Sequence, residues 1–405
     1  MKPSGIEWIG DIPDDWEVRR GKYTLYLLMR PIRDNDEIIT CFRDGQVTRR
    51  SNRREDGFTF ADKEIGYQGI LKGDLVIHGM DGFAGAIGIS DSDGKGSPVL
   101  NVCRPKNGSD TRYINYYLRT LALQNVFIAL STGIRERSCD LRWKKIAELL
   151  FTIPPLKTQQ KIADYLDEKC GEIDATIAKQ KESIEKLKAY KQSLISETVT
   201  KGLDKSAPLK PSGIEWIGNI PSHWEIKKLK FLVSLIDNKT KDGHSISLEN
   251  IESGTGKLIE TENTYDGEGI SFKENDLLFG KLRPYLAKVY LSALKGRALG
   301  DFYVMRANKG TNPNFLKFVL LSDWFIKIVD SSTYGTKMPR ASWDFTGGMR
   351  IPLPPISEQD CISSYLEIKC SEVDTFIIEK QNIIQKLDVY KKSLIFECVT
   401  GKRLV

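Results

Sequence analysis

Residues 2–22, KPSGIEWIGDIPDDWEVRRGK, return as residues 210–230, KPSGIEWIGNIPSHWEIKKLK, with 14 of 21 positions identical at an offset of 208. A second block, 154–200, returns as 354–400 at an offset of 200, with 22 of 47 positions identical. Between these blocks the halves diverge: residues 23–152 and 231–350 share only sparse landmarks, such as Asp74 with Asp276, Arg104 with Arg306, and Trp143 with Trp343. A period near 200 is far longer than the repeat of a solenoid. The chain is therefore a domain duplication, two similar frames around two dissimilar inserts.

The second block dictates a long helix. Pro154-Pro155 and Pro354-Pro355 end strand-like runs, and Thr158, or Ser357 with Asp360 three residues later in the manner of a capping box, opens the helix. The next positions step by four and three: Leu166, Cys170, Ile173, Ile177, Gln180, Ile184, Leu187, Lys191, Leu194. The second copy reads Leu366, Cys370, Val373, Ile377, Lys380, Ile384, Leu387, Lys391, Leu394. Such a seam, kept over four heptads, drives left-handed coiled coils. No proline interrupts either helix, and Gly202 and Gly401 end them. Roughly 40 residues at ~1.5 Å each give about 60 Å. One seam alone could pack on its own domain; two matching seams in one chain favour each other. The second insert begins where the first helix stops and feeds the second helix, so an antiparallel pair with a globular domain at each end is expected.

The inserts read as mixed α/β. Strand-like runs lie at 73–79, 275–282 and 300–306, and helical patterns at 111–130 and 312–329. The expected divisions are 1–152, 153–202, 203–352 and 353–405: domain with leader, helix, domain with leader, helix.

With 40% hydrophobic and 28% charged residues, the 405-residue chain can bury ordinary cores. No apolar run approaches the ~20 residues of a membrane span, and the N-terminus lacks a secretory pattern. Seven scattered cysteines without a CxxC pair read as reduced cytosolic thiols, so a cytoplasmic protein is expected. The three histidines do not stand at metal-ligand spacing. Neither a phosphate loop nor a GxGxxG after a strand is present. NPNF (312–315) faintly resembles the motif with which amino-methyltransferases hold a flipped base, but it reads better as a helix start, with Asn312 as cap and Pro313 first in the helix. The chain reads as non-catalytic, with no metal and no cofactor of its own.

Charge is more telling. The net charge is +6, and the two helices together carry −1, so the basic excess belongs to leaders and inserts. It concentrates in RDGQVTRRSNRRED, with Arg43, Arg49, Arg50, Arg53 and Arg54. Arginines suit phosphate contact and bidentate guanine readout, and Gln46 and Asn52 could read adenine. The competing reading is a solvated charge run. A second candidate pair precedes the helices: GIRERSCDLRW (133–143), with Arg135 and Arg137, and GTKMPRASWDF (335–345), with Lys337 and Arg340. A third is GKLRPYLAK (280–288), with Lys281, Arg283 and Lys288 beside Tyr285 after a strand. Ordinary loop and core roles compete for these. Trp8, Trp16, Trp216 and Trp224 read as apolar anchors of the leaders.

The PSGIEWIGDIPDDWE leader, the helix starts IPPLKTQQKIADYLDEK and LPPISEQDCISSYLEIK, and the two-copy layout resemble the specificity subunit of Type I restriction–modification systems. That resemblance implies an α+β fold: two globular α/β target recognition domains separated by two long antiparallel coiled-coil helices, in a pseudo-two-fold internal duplication. It implies that each domain reads one half of a bipartite double-stranded DNA site. It implies that the helices set the spacing and dock two adenine-N6 methyltransferase (modification) subunits, with restriction/translocase subunits joining them. S-adenosylmethionine, ATP and Mg belong to those partners. A stand-alone nucleic-acid-binding regulator and a coiled-coil adaptor are the other two classes.

Overall fold

The computed structural model describes residues 1–53, 65–129, 141–259, 267–335 and 337–405. They form two compact units, Met1–Gln180 with Asn382–Val405, and Lys181–Gln381. The long helices, Leu156–Lys201 and Ile356–Val399, are thus not separate bodies, as the divisions expected from the sequence had them. Each unit takes half of each helix, because the apolar seams continue into the domain cores.

In the first unit, Leu25–Leu27, Leu100–Pro105, Leu75–His78 and Ile87–Ile89 form, in that order, a four-stranded antiparallel sheet. The leader strand Glu17–Arg20 pairs with Leu150–Ile153, so the repeated frame closes on itself across the insert. Helix Thr111–Leu123 packs its apolar face into the same core as Leu75, Ile77 and Phe151. That core also takes in Ile162, Leu166, Cys170, Ile173 and Ile177 from the central helix and Leu394, Ile395, Cys398 and Val399 from the C-terminal one. Lys391 Nζ meets Asp174 at 2.6 Å. The two helix halves run antiparallel here, since rising numbers on one face falling numbers on the other.

The second unit repeats the plan. Val233–Ile236, Phe302–Ala307, Asp276–Gly280 and Val289–Leu291 form the equivalent sheet, and Glu225–Lys228 pairs with Arg350–Leu353. Its helix halves are also antiparallel, with Ile195 and Val199 sharing a core with Leu366 and Ile362, and Lys191 Nζ 2.6 Å from Asp374. The two lysine–aspartate pairs join positions equivalent under the 200-residue repeat, so both halves keep one register. Of the twelve aliphatic seam residues, Leu166, Ile173, Ile177, Ile184, Leu366, Val373 and Leu394 are buried; Leu187, Leu194, Ile377, Ile384 and Leu387 are half-buried.

The shared landmarks are ion pairs. The Asp74 carboxylate, wholly buried, is held by Arg30, by Arg104 at 2.7 Å and by the Leu71 N–H at 2.8 Å. Asp276 faces Arg306 across two strands, accepts two 2.8 Å bonds from it and one from the Lys273 N–H. The bond to Asp276 is the main reason the Arg306 guanidinium clings to its proton more tightly than usual.

Two helix expectations need correction. The 111–130 pattern is broken after Leu123, where Asn125 turns left-handed (φ 57°), and a short helix, Val126–Ala129, comes next. The 312–329 pattern is two helices, Pro313–Leu321 and Asp323–Ser331, divided at Ser322, whose ψ of 143° is extended. Asn312 does cap the first, accepting from the Asn314 and Phe315 N–H groups. Gly202 and Gly401 end the long helices at φ 71° and 73°. A Cβ at 401 would lie 2.3 Å from Pro13 Cδ, and one at 202 would lie 3.0 Å from the Trp224 ring. Buried Trp16 and Trp224 dock the leaders at these ends.

Candidate nucleic-acid interface

In the first unit the basic run forms the strand Val47–Arg49 and the turn after it. Arg43, Arg50 and Arg53 line one cavity of about 590 Å³ together with Thr40, Phe42, Asp44, Tyr67, His78 and Asp81. The described arginines of the run are each matched with an acceptor. Arg43 reaches Asp81 at 2.9 Å, Arg49 reaches Glu37 at 2.8 Å, and Arg53 reaches Asp44 at 2.7 Å while lying over the Phe42 ring. Arg50 Nε donates to Thr40 Oγ1 at 3.3 Å. Burial would raise the Asp44 carboxyl, but bonds from Arg53 and the Gln46 N–H outweigh it and hold the group below its usual range. Asn52 donates to Thr48 Oγ1, and the Gln46 side-chain oxygen accepts from Arg53. The run is therefore neither a bare cationic patch nor a loosely solvated face. It is an ordered network of alternating charge, presenting donors and acceptors together. The sequence reading missed Glu37, Asp44 and Asp81; only Asp44, inside the run itself, offered a signal. Arg54, Arg135 and Arg137 lie outside the described residues.

In the second unit two candidate segments come together. Lys281 and Arg340 both face Asp301, at 3.9 and 2.9 Å. The Ala341 N–H donates to Lys281 O at 2.9 Å, and the Arg283 N–H donates to Pro339 O at 2.8 Å. Tyr334 and Arg340 exchange both backbone hydrogen bonds, and Leu282 bridges to Arg340. Arg283, Tyr285 and Lys337 stand exposed on this platform. Lys288 turns inward and donates to Leu248 O at 2.6 Å.

The platform has a counterpart in the first unit. There the Leu141 N–H donates to Gly79 O at 2.8 Å. Asn101 Nδ2 donates to Leu141 O at 3.0 Å, in the place where the Tyr303 hydroxyl donates to Ala341 O at 2.6 Å. The turn of Lys281–Lys288, with its short helix Pro284–Leu286, matches Gly79–Ala86, with Gly82–Ala84. Asp81 occupies the place of Arg283. His78 Nδ1 accepts from the Met80 and Asp81 N–H groups, and burial lowers that imidazole's proton affinity against the pull of Asp81.

The leader tryptophans divide. Trp16 and Trp224 are buried, and Trp8 packs on Tyr117 and Phe396. Trp216 is 52% exposed, because Val319 and Ser196 replace those two rings in the second unit. Among the described residues no cluster of three or more potential metal ligands occurs, and no helix is long and apolar enough to cross a membrane.

Comparison with known proteins adds to this geometry. Residues 52–188 match the family model described as the Type I restriction modification DNA specificity domain. The putative type I restriction enzyme MjaX specificity subunit of Methanocaldococcus jannaschii is 23% identical, with 97% of this chain and 95% of that protein aligned. The MjaVIII specificity subunit of the same organism is 25% identical, over 96% of this chain and 93% of that protein. Among solved structures, a chain from a study of complex assembly and conformational transition of the type I R-M system aligns with a TM-score of 0.74 at 13% identity, over 97% of this chain and 100% of that one. The HsdS subunit from Thermoanaerobacter tengcongensis aligns with a TM-score of 0.53 at 15% identity, over 97% and 98%. The structural likenesses carry the fold, an α+β chain with long helices, and the sequence matches extend it along the full length. With the duplicated frame, the heptad helices and the leader motif, they make the chain similar along nearly its whole length to the specificity subunits of Type I restriction–modification systems.

Proposed function

We propose that this chain is the DNA-recognition subunit of a Type I restriction–modification complex, and that each unit reads one half of a split site. The observation that carries the reading is the platform found twice: one pattern of backbone hydrogen bonds, built by residues far apart in sequence, with different side chains at its rim. A duplicated scaffold with unlike rims suits a protein that must meet like partners and unlike base sequences. Contacts to phosphate position such a protein, while contacts to base edges specify the site. In this reading the paired arginines of the first unit and the exposed Arg283, Tyr285 and Lys337 of the second face the duplex. The unbroken helices of 46 and 44 residues set the spacing and dock two adenine-N6 methyltransferase subunits, which restriction/translocase subunits join. The chain itself is non-catalytic and acts in the cytoplasm. S-adenosylmethionine, ATP and Mg are handled by the partners.

The test is adenine methylation mapped across the genome by single-molecule sequencing, with and without the gene. Loss of one bipartite motif on deletion is the expected result. Unchanged methylation, with a modification subunit demonstrably expressed, would leave a stand-alone regulator or adaptor in its place.

A further inference from the structure

If the second unit reads one half of a split site, its rim offers two exposed cations that make no side-chain bond among the described residues, Lys337 and Arg283, and of these Arg283 alone is a planar fork on a clamped backbone. Lys281 and Arg340 are committed to Asp301, and Lys288 to a backbone carbonyl. Arg283 is exposed, and its guanidinium makes no hydrogen bond or ion pair among the described residues. Yet its backbone is not loose. Arg283 sits in the left-handed region at φ 51° and ψ 63°, where a residue with a Cβ is disfavoured by roughly 1–3 kcal/mol. The surroundings impose that conformation. The Arg283 N–H is tied to Pro339 O, its carbonyl accepts from the Leu286 N–H at 3.0 Å, and the flanking Lys281 is bonded through N–H to Asp301 O and through C=O to the Ala341 N–H. Buried Pro284 fixes the next step of the chain. A second left-handed residue, Ala287 at φ 47°, closes the turn, where the first unit has Gly85 at φ 94°.

We infer that Arg283 is a specificity-determining residue of the second unit, which reads a guanine through its O6 and N7 edge; this rests on the DNA-recognition role proposed above. The guanidinium is a planar fork that matches those two acceptors, and bidentate pairing of this kind separates guanine from other bases. A phosphate contact needs charge but no fixed direction. A strained, four-way clamped turn fixes the point from which this unpaired arginine projects, and a backbone set in advance cuts part of the ordering cost that directional reading has to meet on binding. Tyr285, 53% exposed, follows two residues further on in the same turn. The equivalent place in the first unit carries Asp81, an acceptor on a backbone that is not left-handed (φ −104°, ψ 1°), so the turn there cannot read guanine in the same way.

The experiment uses the chain together with its modification partner, in a host lacking the gene. Arg283→Ala and Arg283→Lys complexes are expected to keep methylating, while one guanine position in one half-site becomes degenerate and the other half-site stays intact. Discrimination at that position should fall roughly ten- to a hundredfold. Arg283→Gly relieves the left-handed strain, so its relaxed motif cannot be attributed to misfolding. On synthetic duplex, 7-deazaguanine at the same position removes N7; it should weaken the wild-type complex about tenfold and leave Arg283→Ala unaffected. An unchanged motif in all three variants, or one motif methylated uniformly more weakly, would overturn the assignment. A wild-type chain that confers no split motif would instead refute the functional reading on which it rests.

Discussion

The turn at Gly79–Ala86 and the turn at Lys281–Lys288 share a backbone plan and oppose each other in charge. The first offers Asp81, held by Arg43; the second offers Arg283, held among the described residues by its backbone alone. Beneath them the agreement is close. Asp74 with Arg104 and Asp276 with Arg306 pin the same strands. Gln159 and Gln359 make the same two bonds, accepting from the N–H of a helix cap (Asp110, Asn312) and donating to the carbonyl of Pro154 or Pro354. The difference teaches where the duplication has been free to drift. Buried polar groups cannot lose a partner cheaply, so both units keep them. Rim groups cost little to exchange, and there the units differ.

The deepest test of that contrast is the leader tryptophans, which repeat in sequence and divide in environment. Trp224→Ala removes a buried ring whose Nε1 donates to Glu358 at 3.1 Å and should cost about 3–5 kcal/mol in chemical denaturation. Trp216→Ala should change stability by less than about 0.5 kcal/mol, as exposed positions do. Equal costs would mean that the second leader is docked differently from the way its burial shows.

The buried aspartates come next. Asp276→Ala should cost about 3 kcal/mol, the lower end for a broken buried pair because Arg306 is partly solvated. Asp74→Ala should cost more, since it leaves both Arg30 and Arg104 unmatched. A smaller loss at 74 than at 276 would show that Arg30 belongs to the surface and not to the scaffold.

The frame is legible in the residues alone. A heptad seam and a repeated leader report their own period, and burial follows periodicity when one face of a helix must be covered. Asp74, Asp276, Arg104 and Arg306 are visible in the sequence as landmarks, but not as ion pairs, because they sit 30 positions apart and only strand pairing joins them. The platform is less legible still. Lys281 and Ala341 meet through a backbone bond about sixty residues apart, which no pattern of side chains announces. Nor could the basic run reveal its neutralisation, since Glu37 and Asp81 approach it from elsewhere in the fold.

The smallest expected effects lie on the helices, where one register is kept by two pairs of unlike burial. Lys191 and Asp374 are only 10% and 16% exposed, and Lys257 adds a second bond to the same carboxylate at 2.8 Å. Lys391 and Asp174 are 27% and 58% exposed and form a pair with no third ionic partner among the described residues. Lys191→Ala should therefore cost about 1.5–3 kcal/mol, the range for a bond to a charged group, and Lys391→Ala only about 0.2–1 kcal/mol. Acid separates the two further. Burial would raise the Asp374 carboxyl, but the bonds from Lys191 and Lys257 outweigh it and hold it below its ordinary value. A carboxyl lowered in the folded state contributes stability above its unfolded value, near about pH 3.9, and loses it as pH falls through the folded value. The gap in stability between wild type and Asp374→Asn, measured by denaturation from about pH 7 downward, should hold to about pH 5 and close below about pH 4. A gap that widened in acid would mean that Asp374 is protonated in the folded protein and that the lysines meet it as a neutral acceptor.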